Sequence, residues 1–229
     1  FLGDNKKMSP FDRNSIYGMY NRTENYQSDC SYISQIKAFK DNVSIKSCLS
    51  YTFSVSNSQG ASLIKDRPFT AEMTRSIMLL KEKPYRPRMA DYRIGVFFTG
   101  REQLGEGAKT TAPVYYANRW DIQPSDTAAY LRGEKVKPTK QIVFYIDNTF
   151  PEKWKPYLRE GVTQWNELFE QIGFKDVVAA KDFPTDDPEF DPDNIKYSCV
   201  RYAPSSIENA MGPSWVDPRS GEILNASVY

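Results

Sequence analysis

Apolar and polar residues alternate along two long segments in the first third of the chain. In "NVSIKSCLSYTFSV", residues 42–55, six of the seven odd-numbered positions are apolar, and only Ser47 interrupts the row. "FTAEMTRSIMLL", residues 69–80, repeats the alternation with a break at Arg75. A period of two is typical of a strand that is buried on one face. With a turn at "NSQG", residues 57–60, the two segments predict an antiparallel meander with one solvated face.

Two further strands are predicted at residues 93–99 and 114–120. The segment before them, "KEKPYRPR" at residues 81–88, places four cations around two prolines. This composition predicts an extended, solvated linker, and a phosphate-binding patch is the alternative.

The pattern changes after a polar stretch at residues 121–140. "QIVFYID", residues 141–147, is a nearly continuous apolar run, which is typical of a strand covered on both faces. We therefore predict a β-rich N-terminal domain over residues 1–138 and a second domain over residues 139–229.

A long amphipathic helix of about five turns is predicted within residues 149–173. Its apolar residues recur at spacings of three and four: Trp154, Tyr157, Leu158, Val162, Trp165, Leu168, Phe169 and Ile172. Thr149 and Glu152 fit a capping box, and Gly173 is suited to the C-cap. Pro156 either bends the first turn or marks the start of the helix. We expect the apolar stripe to lie on the sheet.

Two more strands, residues 174–180 and 195–203, precede a hairpin whose turn is "DPRSG", residues 217–221. Its second arm, residues 222–229, predicts a strand at the edge of the sheet. The predicted fold class is α+β: a β-rich antiparallel N-terminal domain, then a mixed sheet backed by one long helix, with a C-terminal edge strand. Because nothing covers that edge, we expect the chain to be a truncated fragment of a longer protein.

Composition limits the chemistry available to this chain. It has no His among its 229 residues. This excludes Ser-His-Asp and Cys-His nucleophile sites and nearly every catalytic zinc site. The net charge of +1 gives no electrostatic case for binding nucleic acid or an anionic membrane. No apolar run approaches the roughly 20 residues that span a bilayer.

Two groups of residues have a functional and a structural interpretation. The acidic loop at residues 186–193 either binds calcium through its carboxylates or is simply solvated. It contains Asp186, Asp187, Glu189, Asp191 and Asp193. Cys30 and Cys48 either pair in an oxidising compartment or stay free, and Cys199 is expected to be a small buried thiol.

Several stretches of the chain resemble one protein family. They are "RPRMADYRIGVF" with "ANRW", "FYIDNTFPEKWKPYLREGVTQWNELFEQIGF", "FDPDN" with "YSCVRYAPS", and "NAMGPSWVDPRSGEIL". The family is that of large bacterial secreted zinc-dependent metalloproteases with a metzincin-like catalytic domain. The resemblance runs from about residue 43 to residue 229 and is most specific in the second half.

The resemblance implies that residues 139–229 are the upper, N-terminal part of a zincin-like protease domain, with the HExxHxxGxxH helix later in the protein. The strand at residues 222–229 would line the substrate cleft and hold an extended peptide or protein substrate. The substrate-binding residues would be Ile223, Leu224, Asn225, Ala226 and Ser227. No catalytic or metal-binding residue is assigned within this chain.

By the same resemblance, zinc is expected in the full-length protein only, and the remainder of the catalytic domain is the expected partner of this fragment. The protein would be secreted, periplasmic or at the cell surface, and the chain alone would be inactive. The alternative function is a self-contained β-rich surface or periplasmic module that binds protein or glycan.

Overall fold

The computed structural model describes residues 20–104, 110–205 and 209–229. Its contacts divide the chain into two compact units, Phe1–Leu79 and Leu80–Tyr229. The domain boundary suggested by the sequence, between residues 138 and 139, lies within the second unit and stays a prediction.

The first unit is an antiparallel sheet. Its strands are β1 (Tyr20–Tyr26), β2 (Tyr32–Ala38), β3 (Asn42–Asn57) and β4 (Ser62–Met78). β3 pairs with β4 along one side. On its other side, the N-terminal half of β3 pairs with β2 and the C-terminal half pairs with β1. The strands predicted from alternation are therefore present.

The burial of side chains in β3 differs from the prediction that one face of the strand is solvated. Ile45, Leu49 and Tyr51 are buried, as their shared face predicts. Ser44, on the opposite face, is only 3% exposed. The N-terminal half of β3 is thus covered on both faces.

The second unit begins with an extended segment and a hairpin of β5 (Phe98–Leu104) and β6 (Thr111–Ala117). β5 starts five residues later than predicted because Asp91 makes a turn: its carboxylate accepts from the N–H and Nε of Arg93, and Ile94 N donates to its carbonyl. The segment at residues 81–88 is largely exposed, as a linker would be, but it is tied down, since Ala117 N donates to Arg88 O at 2.9 Å.

The rest of the unit is a five-stranded sheet with short helices. The elements in chain order are α1 (Thr127–Leu131), β7 (Ile142–Ile146), α2 (Lys155–Thr163), α3 (Asn166–Gln171), β8 (Val178–Asp182), β9 (Ser198–Val200), β10 (Ser214–Val216) and β11 (Ile223–Val228). The strand order is β10-β11-β9-β7-β8. β8, β7, β9 and β11 are parallel, and β10 is antiparallel to β11.

The core of this unit lies where β7 and β8 meet the helices and the preceding segment. Its buried members are Ala129, Val136, Ile142, Phe174, Val177 and Val178. Asp126 caps α1 by accepting from Ala129 N at 2.9 Å, which places Ala129 in this cluster.

The prediction of one long helix backing the sheet is wrong. α2 and α3 are separated at Gln164 and Trp165, and the described chain is predominantly β. The predicted capping box is not formed, because Thr149 binds Asp147 and Glu152 binds Lys155. Instead, α2 starts beside Pro156.

Side chains on either side of the break explain it. Thr163 Oγ1 donates back to Arg159 O at 2.9 Å, an arrangement that bends helices. The Asn166 amide donates to Val178 O and accepts from Val178 N, both at 2.8 Å, so it pairs with the start of β8. The helix is therefore interrupted where the Asn166 side chain bonds to the first residue of β8.

The break also divides the apolar stripe. Val162 and Phe169 pack against the core, whereas Trp165 and Leu168 are 60% and 53% exposed. Most of the stripe predicted to cover the sheet is therefore exposed, since Trp154, Tyr157 and Ile172 are exposed as well.

The prediction that the C-terminal strand forms the edge is also wrong. β11 is an interior strand, with β10 on one side and β9 on the other. The antiparallel edge of the sheet is β10. Among the described residues, no helix combines the length and apolar character needed to cross a membrane.

Candidate functional site

The turn between β10 and β11 is built around a buried carboxylate. Asp217 is 1% exposed, and its carboxylate accepts from Arg219 N at 2.8 Å, Arg219 Nε at 3.0 Å and Arg219 Nη2 at 2.8 Å. The side-chain hydrogen bond from Arg219 lowers the pKa of Asp217, against the opposing effect of burial. The turn is thus held by a charged pair within the sequence "DPR".

The turn also binds the segments that precede the sheet. Arg219 Nη2 donates to Lys81 O at 2.6 Å, and Lys81 Nζ lies 2.5 Å from Glu222 Oε1. Arg119 N donates to Gly221 O at 2.9 Å, and Ile223 N donates to Arg119 O at 2.8 Å. These contacts fix the start of β11 and, through it, the register of β10.

The five residues predicted to bind substrate lie in β11: Ile223, Leu224, Asn225, Ala226 and Ser227. Their strand pairs on both sides, so its main chain is engaged within the sheet. The Asn225 amide, 5% exposed, donates to Ile195 O and Tyr197 O. Asn225 thus ties a loop to the sheet, and the edge position on which the binding prediction rested belongs to β10.

The free side of β10 can be identified from its pairing with β11. Met211 and Tyr229 exchange both main-chain hydrogen bonds, at 2.7 and 2.9 Å, and Ser227 N donates to Pro213 O at 3.0 Å. In an antiparallel pair, alternate residues direct their N–H and C=O groups away from the partner strand. The groups of Gly212 and Ser214 therefore point away from β11.

Four main-chain groups thus face the free edge: one N–H and one C=O each from Gly212 and Ser214. Over residues 20–104, 110–205 and 209–229, no main-chain hydrogen bond to these groups is recorded. Gly212 has no side chain, that of Ser214 is small, and both residues are exposed. With respect to the described part of the chain, the edge is therefore open to another extended strand.

A cavity of about 360 Å³ lies at the N-terminal ends of β7, β9 and β11. Its walls include the aromatic residues Trp120, Tyr145 and Tyr197. Burial raises the pKa of Tyr145, and the nearby Tyr197 acts in the same direction. The cavity therefore offers aromatic surface beside the neutral hydroxyl group of Tyr145.

The residues present do not fit a zinc site. The chain has no His, and within the described ranges no three Cys, Asp or Glu side chains come together as metal ligands. In the acidic loop, Asp187 and Asp191 accept from main-chain N–H groups two residues ahead, so each carboxylate closes a local turn. Burial raises the pKa of Cys199 to about 12, which disfavours the thiolate that metals require.

Cys30, Cys48 and Cys199 are free thiols in the structure. The pairing of Cys30 with Cys48 that an oxidising compartment would favour is therefore not present here.

A family model described as a domain of unknown function (DUF5117) matches residues 1–125. The chain belongs to the DUF5117 family. The DUF5117 match covers the first unit and extends through the β5–β6 hairpin. No curated protein and no solved structure matches the chain. The edge at β10 lies beyond the DUF5117 match.

The sequence predicted the hairpin but not which of its arms forms the edge of the sheet. "GPSWV", residues 212–216, reads as the first arm of the hairpin, and either arm could have been the outer one. The position of β11 beside β9 decides between them, and that parallel pairing has no local sequence signal.

Proposed function

We propose that residues 139–229 are the peptide-binding part of a secreted zinc-dependent endopeptidase, and that an extended peptide pairs with the free edge of β10. The observation that carries this proposal is the set of four outward main-chain groups on Gly212 and Ser214. Strand addition uses such groups for affinity and leaves side-chain pockets to provide specificity. The endopeptidase class rests on the family resemblance of the second half of the chain.

The expected affinity is weak. Four hydrogen bonds at about 0.5–1.5 kcal/mol each supply roughly 2–6 kcal/mol before the cost of association. A free energy of about −4 kcal/mol corresponds to a dissociation constant near 1 mM. Main-chain pairing therefore holds and orients a peptide, and side-chain contacts must supply further affinity.

The role of this chain in the proposed enzyme is to position the substrate. Pairing with β10 fixes the direction of the peptide and the orientation of alternate carbonyl groups. The zinc and its ligands would come from outside these 229 residues, since the residues present do not fit the metal. A secreted, periplasmic or cell-surface location is part of the proposal.

The test removes one hydrogen-bond donor from the free edge without removing a hydrogen bond between β10 and β11. Ser214→Pro deletes an N–H that points away from β11, a position where edge strands tolerate proline. We expect this variant to lose binding of a labelled extended peptide, measured by fluorescence anisotropy.

The matched control is Ser214→Ala, which keeps the N–H and should bind as the parent chain does. Circular dichroism and thermal melting establish that both variants fold. Equal binding by a folded Ser214→Pro variant would refute pairing at this edge.

The cavity beside Trp120, Tyr145 and Tyr197 favours a second candidate function, a module that binds glycan. Aromatic faces with polar neighbours suit sugar rings. Titration with oligosaccharides in the same anisotropy assay tests for glycan binding. The oligosaccharides either compete with the labelled peptide or carry their own label. Saturable sugar binding that Trp120→Ala abolishes and Ser214→Pro leaves unchanged would favour the glycan module.

A further inference from the structure

One face of the β10 edge carries a row of apolar side chains. Met211 and Pro213 precede β10 but continue its pairing with the other arm of the hairpin. With Trp215 they occupy alternate positions of one extended segment, so their side chains lie on the same face. Tyr229 lies directly opposite Met211 in the ladder and shares that face. Met211, Trp215 and Tyr229 are 46%, 42% and 48% exposed, and Pro213 is exposed as well.

The opposite face of the same edge is nearly bare. Gly212 has no side chain, and Ser214 offers only a hydroxymethyl group. A Cβ added at Gly212 would meet no described atom closer than Val228 Cγ2 at 3.8 Å. The two faces of the edge therefore differ sharply in apolar surface.

A strand added at this edge would place its own side chains alternately on the two faces. Every second side chain would lie beside the row formed by Met211, Pro213 and Trp215. Neighbouring side chains on one face of a sheet interact directly, and pairs of an aromatic residue with an aromatic or β-branched residue stabilise the sheet. The intervening side chains would lie over Gly212 and Ser214, where little surface is available.

We propose that the β10 edge selects extended segments in which apolar side chains recur at every second position, on the face toward Trp215. This inference rests on the proposed function, since it names the peptide class taken by the same edge. The main-chain groups of Gly212 and Ser214 have no partner among the described residues. They commit the occupant to an extended peptide, because only an extended main chain presents matching donors and acceptors at this spacing.

The row has a defined end. The register between β10 and β11 shifts between Trp215 and Val216, and a bulge of this kind ends regular pairing. The regular edge thus spans residues 211–215, and Met211, Pro213 and Trp215 give it three apolar positions. A matching peptide needs two or three apolar side chains spaced two residues apart.

The experiment compares two labelled peptides of identical composition. The first places its apolar residues at alternate positions, and the second places them side by side. Fluorescence anisotropy should show the alternating peptide binding about tenfold more tightly, which corresponds to about 1.4 kcal/mol. Trp215→Ala should bring the two affinities within about twofold of each other, and Trp215→Phe should restore most of the difference.

Trp165→Ala is the matched control. Trp165 is an exposed tryptophan at the break between α2 and α3, so its loss should leave the preference unchanged. If the parent chain binds both peptides equally, the selection is refuted while peptide binding stands. If neither peptide binds, the proposed function itself fails.

Discussion

Asp217 and Asp91 provide the same local motif in two environments. Each is followed two residues later by an arginine whose Nε and Nη2 donate to the carboxylate. The side-chain hydrogen bond from that arginine lowers the pKa of both aspartates. They differ in exposure, because the Asp217 side chain is 1% exposed and that of Asp91 is 34% exposed.

Asp217→Asn should destabilise the chain at pH 7 by about 1.5–3 kcal/mol, the usual contribution of hydrogen bonds to a charged group. The pKa of Asp217 is lower in the folded state. Its contribution is therefore complete above the unfolded value of about 3.9 and is lost as the pH falls through the folded pKa. Urea unfolding at pH 7 and at pH 3 should show the gap between variant and parent narrowing at the lower pH.

Asp91→Asn is the control for this pair. An exposed ion pair is weakened by solvent screening, so its loss should change the unfolding free energy much less than the loss of Asp217 does. A similar loss for both variants, or a gap that widens at pH 3, would contradict the role assigned to the buried Asp217 carboxylate.

At the scale of elements, the hairpin turn depends on a close approach at Gly221. Its φ is +76°, and a Cβ there would lie 2.5 Å from Ala117 O. Gly133 has a similar φ of +86° but no heavy atom within 4 Å of the added Cβ. The two glycines share a backbone conformation and differ in the space around them.

Gly221→Ala should therefore cost clearly more stability than Gly133→Ala. Both substitutions carry the roughly 1–2 kcal/mol penalty of a left-handed residue. Only Gly221→Ala must also move the turn away from Ala117, which should disturb the anchoring of β11. Chemical denaturation compares the two variants directly. Equal losses of stability in the two variants would contradict this prediction, because they would show that the turn can move away from Ala117 at no cost.

Local patterns predicted β3 and β4 well and the helix poorly, for a physical reason. The alternation in β3 and β4 is contained in the segments themselves, and their pairing follows from the turn between them. The helix break depends on the bonds between Asn166 and Val178, which are 12 residues apart. The apolar periodicity continues through residues 164 and 165, so the pattern used to predict the helix did not show the break.

At the scale of the whole molecule, the order of the strands determines which arm of the hairpin is the edge strand. Turn residues 217–221 correctly predicted that the arms of the closing hairpin are neighbours. Which arm faces outward depends on the parallel contact of β11 with β9, where Ser227 aligns with Cys199. That contact joins segments far apart in the chain, so the sequence predicted the wrong arm of the hairpin as the edge strand.

The chain's own side chains provide poor ligands for zinc. The chain has no His, the Cys199 thiol has a pKa of about 12, and Asp187 and Asp191 use their carboxylates to close turns. We therefore expect the purified chain, dialysed against zinc and then against buffer, to retain far less than one zinc per chain by elemental analysis. It should bind peptides at β10 without cleaving them, as judged by mass spectrometry of the recovered peptide. Stoichiometric zinc, or cleavage that a chelator abolishes, would contradict this prediction. Either result would show that the chain itself holds a metal centre and does more than position a substrate.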